Sequence, residues 1–100
     1  MFKLIETKGD DKPGALAHHT SVVYGEKMYL FGGSNLEKEN RKFYSLDLGT
    51  FKWEVIKSRG DLPITRDEHT AVLNENDGSM IIFGGFCDGS RTNEIIKYTF

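Results

Sequence analysis

The sequence predicts an all-β chain, and three observations carry that reading. A set of short segments recurs at a nearly fixed interval along the 100 residues. Those segments hold most of the seven Phe, four Tyr and one Trp together with β-branched residues, the side chains that fit a pleated, half-buried surface. No stretch keeps the 3.6-residue apolar period of an amphipathic helix, and the spacing of Gly and Pro interrupts any long helical run.

The repeat sets the organisation. Met28-Tyr29-Leu30-Phe31-Gly32-Gly33 returns as Met80-Ile81-Ile82-Phe83-Gly84-Gly85, an offset of 52 residues from Gly32 to Gly84. "PGALAHHTSVV" from Pro13 returns as "PITRDEHTAVL" from Pro63, at an offset of 50. The difference falls where "YGEKM" faces the longer "NENDGSM", a place where a hairpin absorbs extra residues. "RKFYSLDL" from Arg41 aligns with "NEIIKYTF" from Asn93, again at 52. The opening "FKLIETKGD" matches "WEVIKSRGD" from Trp53, so the N-terminus reads as the end of a unit.

Each unit reads as four short strands, A to D. "HTSVVY" is strand A and "KMYLF" strand B, with Gly25-Glu26 suited to a tight primed turn between them. Asn76-Asp77-Gly78 gives the second unit a similar turn signal. "KFYSLDL" is strand C and "FKWEVI" strand D, with Gly49-Thr50 at the bend. The order along the chain is therefore D-ABCD-ABC. The glycine pairs are expected to end the B strands, where absent side chains permit positive φ and close backbone approach.

These marks resemble the kelch repeat: the double glycines Gly32-Gly33 and Gly84-Gly85, Tyr44 with Asp47 in strand C, Trp53 six positions later, and the "G-D-L-P-x-x-R-x-x-H" run from Gly60 to His69. Leu16 stands where the second unit has Arg66, Thr99 where the first has Asp47, and Phe2 where the other unit has Trp53. The resemblance implies four-stranded antiparallel blades of a kelch-type β-propeller, two per chain. Residues 1–8 are then the D strand of an incomplete blade, 9–59 the first repeat, and 60–100 a second repeat without its D strand. A propeller closes with roughly 4 to 8 blades. The chain is accordingly expected to form part of a longer propeller or a homo-oligomer, three copies closing a six-bladed ring.

Composition narrows the function classes. Thirteen Lys plus Arg against fifteen Asp plus Glu give a formal charge of −2, which lacks the broad positive field that nucleic acid selects. No apolar run reaches the roughly 18 residues of a membrane span, and "MFKLIETKGD" is too short and too charged for a signal peptide. The single Cys87 and the absence of Asn-x-Ser/Thr agree with a cytoplasmic location, or a nuclear one. No cofactor or metal is expected, because one Cys with His18 and His19 does not make a zinc ligand set. Asp67-Glu68-His69 does not converge along a strand, where neighbours point to opposite faces. No nucleophile elbow, P-loop or dinucleotide fingerprint occurs. His19 and His69 hold equivalent positions at the start of the A strands, which argues for a structural job done twice.

The reading of function is a non-enzymatic protein-interaction module. The alternatives are a propeller segment that supports an oxidase- or lyase-like enzyme, and a cytoskeletal, actin-binding scaffold. Ligands of kelch propellers, as the resemblance implies, dock on the D-to-A and B-to-C loops. Those loops span residues 9–17, 60–68, 34–41 and 86–92. Their candidates are Asn35, Glu37, Lys38, Arg41, Arg66, Asp67, Phe86, Asp88, Ser90 and Arg91. Arg66 and Arg91 are the expected grips for an acidic peptide, since a guanidinium holds a carboxylate in two-point geometry. A structural tie between blades is the competing role for Arg66. Tyr29, Tyr44 and Trp53 are assigned to packing between blades.

Overall fold

In a computed structural model of the chain, residues 1–35, 37–57, 66–87 and 89–100 are described. Strands β1 (Ala17–Tyr24), β2 (Lys27–Ser34), β3 (Tyr44–Asp47) and β4 (Trp53–Val55) form one antiparallel sheet in the order β1-β2-β3-β4. Strands β5 (Thr70–Asn74), β6 (Ser79–Phe83) and β9 (Ile95–Thr99) form a second, in the order β5-β6-β9. Between them in sequence, β7 (Phe86–Cys87) and β8 (Ser90–Arg91) make a small hairpin. All-β kelch blades are what the sequence predicted, a complete A-B-C-D sheet followed by an A-B-C sheet.

The turns follow the expected chemistry. Gly25 (φ 61°) and Gly78 (φ 68°) take the left-handed conformation in the β1–β2 and β5–β6 hairpins, where a side chain would be strained. At the β3–β4 bend, Asp47 Oδ1 accepts hydrogen bonds from the backbone N–H of Gly49 and Thr50 at 2.8 and 3.0 Å. These bonds hold the Asp47 carboxyl below the usual carboxylate range. The aspartate is thus a turn former.

Pairing sends alternate residues to opposite faces. In the first blade Val22, Tyr29, Phe31 and Phe43 point one way; in the second Met80 and Ile82, joined by Ala71, Leu73, Ile96 and Tyr98, point back at them. Phe43, Met80 and Ile82 are within 1% of complete burial. A ladder of rings reinforces this seam: Phe43 meets Phe31 and Tyr98 edge-on at 6.1 and 4.8 Å, and Phe100 lies 4.4 Å from Tyr29 and stacks on Tyr24 at 4.6 Å. The seam is the hydrophobic core. On the outer face of the second blade, Val72, Phe83 and Ile95 remain 60%, 52% and 71% exposed.

Several expectations are corrected. Strand β2 does not stop at its glycines but continues through Gly32 and Gly33 to Ser34, because His19 still pairs with Gly32 and Ala17 with Ser34. In the second unit β6 does end at Phe83, before the pair. Residues 1–7, expected as a D strand, lie in no strand; β3 is already paired with β4, and the open β9 edge belongs to the other blade. Lys8 bridges Lys52 in parallel. Tyr29 packs at the seam as expected, whereas Tyr44 and Trp53 meet edge-on at 6.1 Å within the first blade, with Trp53 half-buried. The β7–β8 hairpin had no sequence expectation.

Candidate functional site

The seam and the loop edge meet at the two glycine pairs. All four glycines have positive φ, from 71° at Gly84 to 99° at Gly85. The second glycine of each pair faces strand A of its own blade: a Cβ on Gly33 would lie 2.8 Å from His19 Cβ, and one on Gly85 would lie 2.9 Å from His69 Cβ. In the first pair, Gly32 faces the next blade. A Cβ on Gly32 would come within 2.2 Å of the Arg66 carbonyl oxygen and 2.5 Å of His69 Cε1.

Into that space the second blade sends its linker and the start of β5. The Arg66 carbonyl accepts from the Gly33 N–H at 2.9 Å, and the His18 carbonyl accepts from the Glu68 N–H at 3.1 Å. His69 is 6% exposed, shares a 2.6 Å hydrogen bond between Nε2 and Thr20 Oγ1, and stands edge-on to Phe31 at 5.3 Å. Burial, then the nearby Arg66 guanidinium, pushes the His69 pKa down, so the ring sits in the seam neutral. The equivalent His19 is exposed.

Arg66 is 1% exposed. Its Nη2 donates to Glu94 Oε1 at 3.2 Å, and its Nη1 reaches the Gly84 carbonyl at 3.4 Å. Thus the guanidinium ties the linker to the second blade and is turned away from solvent. Asp67 Oδ2 accepts from Ser34 Oγ of the first blade at 3.1 Å. Both side chains belong to the scaffold beneath the loops. Neither Glu94, Ser34 nor the buried Phe43 was singled out from sequence; only the apolar Phe43-Tyr44 pair carried a signal, since adjacent strand residues reach both faces.

The remaining candidates divide between two loops. In the first, Asn35 Oδ1 accepts from the N–H groups of Glu37 and Lys38, both at 2.8 Å, and Asn40 Nδ2 donates to the Gly32 carbonyl at 2.9 Å. These asparagines shape the loop, while Glu37, Lys38, Arg41 and Lys42 are exposed. A cleft of about 400 Å³ opens between this loop and Pro13–Leu16, bordered by Lys38, Glu39, Arg41 and Lys42. In the second loop, Phe86 (40% exposed), Ser90 and Arg91 project from the β7–β8 hairpin. Reciprocal backbone bonds between Asp67 and Phe86, 2.8 and 3.1 Å, fasten that hairpin to the linker. Asp88 and residues 58–65 of the linker lie outside the described residues. Cys87 is a free, half-buried thiol, and among the described residues no three His, Cys, Asp or Glu side chains gather as a metal-binding group.

Comparison with known proteins bears on the same residues. A sequence profile of the KLHDC2/KLHL20/DRC7 Kelch-repeats domain matches residues 2–100. The chain is 35% identical over 94 residues to host cell factor 2 of Homo sapiens, covering 77% of this chain and 12% of that protein. It is 33% identical over 78 residues to Kelch domain-containing protein 3 of Mus musculus, 76% of this chain and 20% of that one. It is 31% identical over 83 residues to N-(sulfonatooxy)prop-2-enimidothioate sulfolyase of Thlaspi arvense, 81% of this chain and 24% of that enzyme. The chain thus spans less than a quarter of the length of these curated relatives.

Proposed function

The chain belongs to the kelch-repeat family, and from that premise we propose that it is a non-enzymatic protein-interaction module whose partner supplies a carboxylate-bearing segment to the cleft beside Asn35–Lys42. The observation that carries this reading is the charge at that cleft: Lys38, Arg41 and Lys42 border it against the single Glu39. The loop backbone is fixed by Asn35 and Asn40, so these cations are displayed on a preset frame, which lowers the ordering cost of binding. Lys38, Arg41 and Lys42 are exposed, and loops of that kind are where binding residues concentrate. With Arg66 drawn into the scaffold, Lys38 and Arg41 take over the role of carboxylate grip, and Phe86 and Arg91 supply a second contact on the neighbouring hairpin.

Fluorescence anisotropy with labelled peptides of equal length and varied carboxylate number tests the reading. Acidic peptides are expected to bind, to weaken as salt is raised, and to lose affinity in a Lys38→Glu, Arg41→Glu double variant. Equal binding of acidic and neutral peptides, or binding indifferent to the charge reversal, refutes it. Turnover of a lyase or oxidase substrate abolished by the same variant would replace the non-enzymatic reading with a catalytic one; one relative is named as a sulfolyase.

A further inference from the structure

In each blade the linker meets that blade's own B-to-C loop in the same backbone frame, yet the side chains set in that frame differ. The Asn40 N–H donates to the Gly33 carbonyl at 2.8 Å, and the Thr92 N–H donates to the Gly85 carbonyl at 3.0 Å. The first glycines match as well, with φ of 72° at Gly32 and 71° at Gly84. By the repeat offsets, Leu16 stands for Arg66, Asn40 for Thr92 and Lys42 for Glu94. Each set lies within one blade and its own linker, so the contrast is one of side chains and not of neighbouring blades.

In the second blade the frame is a filled arginine socket. Arg66, 1% exposed, donates to the Gly84 carbonyl at 3.4 Å and to Glu94 Oε1 at 3.2 Å. All three parts are altered in the first blade. Leu16 brings no guanidinium, and with Asn40 and Lys42 it lines the cleft of about 400 Å³. The Gly32 carbonyl, equivalent to that of Gly84, is already bonded by Asn40 Nδ2 at 2.9 Å. An ammonium at Lys42 replaces the carboxylate of Glu94. A cation entering this cleft meets a carbonyl that already has its donor and a like charge beside it, whereas a carboxylate meets a charged donor.

We propose that the cleft of the first blade is the same socket left open by leucine at 16 and reversed in charge, and that Lys42 is the residue that selects a partner's carboxylate side chain for it. The inference rests on the loop reading and deepens it: Lys38 and Arg41 draw acidic segments to the rim, and Lys42 sets the sign of the side chain that enters. Specificity of this kind combines an attraction with a repulsion built against the wrong ligand. Lys42→Glu restores the second blade's carboxylate without its arginine, which turns the cleft towards a guanidinium supplied from outside. Adding Leu16→Arg supplies that guanidinium from within and fills the cleft, as Arg66 does in the second blade.

Fluorescence anisotropy with two labelled peptides, identical except for a central glutamate or arginine, tests this. The wild type is expected to prefer the glutamate peptide. Lys42→Glu is expected to bind it at least tenfold more weakly and to bind the arginine peptide at least tenfold more tightly than the wild type does. The Leu16→Arg, Lys42→Glu double variant is expected to lose both peptides. Lys3→Glu, the same charge change at an exposed residue outside the strands, should leave the preference as it is, and circular dichroism confirms that each variant is folded. If the glutamate peptide binds and is lost in the Lys38→Glu, Arg41→Glu variant but not in Lys42→Glu, this inference is overturned while the loop reading stands. A wild type without preference for glutamate overturns both. Loss of the glutamate peptide in Lys42→Glu with no gain of the arginine peptide, or a double variant that binds the arginine peptide as Lys42→Glu does, marks a surface charge and not a socket, and overturns it too.

Discussion

Replacing Gly32 with alanine, and Gly84 with alanine in parallel, separates the cost of a backbone conformation from the cost of splitting the seam. The two glycines have nearly the same φ, 72° and 71°, so a side chain meets the same left-handed penalty at each, about 1–2 kcal/mol. Their surroundings differ. At Gly32 the new Cβ lies 2.2 Å from a backbone oxygen and 2.5 Å from His69, against an ordinary contact of roughly 3.5–4.0 Å. The His69 ring can turn aside, but the Arg66 carbonyl cannot leave without breaking its bond from Gly33. Displacement forfeits that bond and the Thr20–His69 bond, about 1 kcal/mol each, and the Phe31–His69 edge contact, about 0.5–1.5 kcal/mol. Gly32→Ala is therefore expected to cost about 3.5–5.5 kcal/mol and Gly84→Ala about 1–2. Urea unfolding followed by Trp53 fluorescence, at concentrations where sedimentation finds monomer, reads the difference. With a slope of about 1–3 kcal/mol per molar urea, Gly32→Ala unfolds at a midpoint lower than that of Gly84→Ala by roughly 1 M or more. Equal midpoints would refute the claim that the first glycine is reserved for the neighbouring blade.

Three further outcomes follow from the same geometry. Because His69 is held neutral with its pKa below the ordinary 6.5, the unfolded chain binds a proton there that the folded chain refuses. The stability tied to this group is complete above about 6.5 and is lost as pH falls from there towards the lower folded value; a His69→Gln variant should show a flatter loss than wild type over that range in urea melts. Arg66→Ala is expected to cost about 2–4 kcal/mol through lost packing and unmet carbonyls, whereas Glu94→Gln, whose side chain is 63% exposed, should cost less than about 1 kcal/mol; thermal melts of the pair distinguish a scaffold tie from a surface ion pair. Trp53→Ala, half-buried against Tyr44 alone among the rings, should cost about 2 kcal/mol, below the 3–5 of a fully buried tryptophan, as calorimetry would show.

The repeat made the architecture legible: offsets of 50 and 52 residues placed both A strands, both B strands and their turns, since hairpin chemistry and alternation are local properties. The roles at the seam were less so. Arg66 and Arg91 are the same residue type in loops of similar character, and only the placement of Glu94 and the Gly84 carbonyl shows that one is buried and the other exposed. The glycine pairs signalled positive φ and close approach, but not which partner approaches. That partner lies at a sequence separation of more than thirty residues. Nor could the sequence tell that β2 would run on through Gly32, because pairing with His19 outweighs the weak strand preference of glycine. Residues 1–7 carry a strand pattern, yet they lie in no strand, because pairing depends on a partner that the local pattern does not name.

The fastening of the β7–β8 hairpin has an evolutionary consequence. The hairpin is joined to the linker by main-chain bonds between Asp67 and Phe86, and main-chain groups are common to every amino acid except proline's missing N–H. The shape of that shelf therefore does not depend on which side chains stand at 86, 90 or 91. Substitution there can alter what is recognised while the platform persists, so these positions are free to diversify among related chains and are the natural ones to randomise when a new binding specificity is wanted.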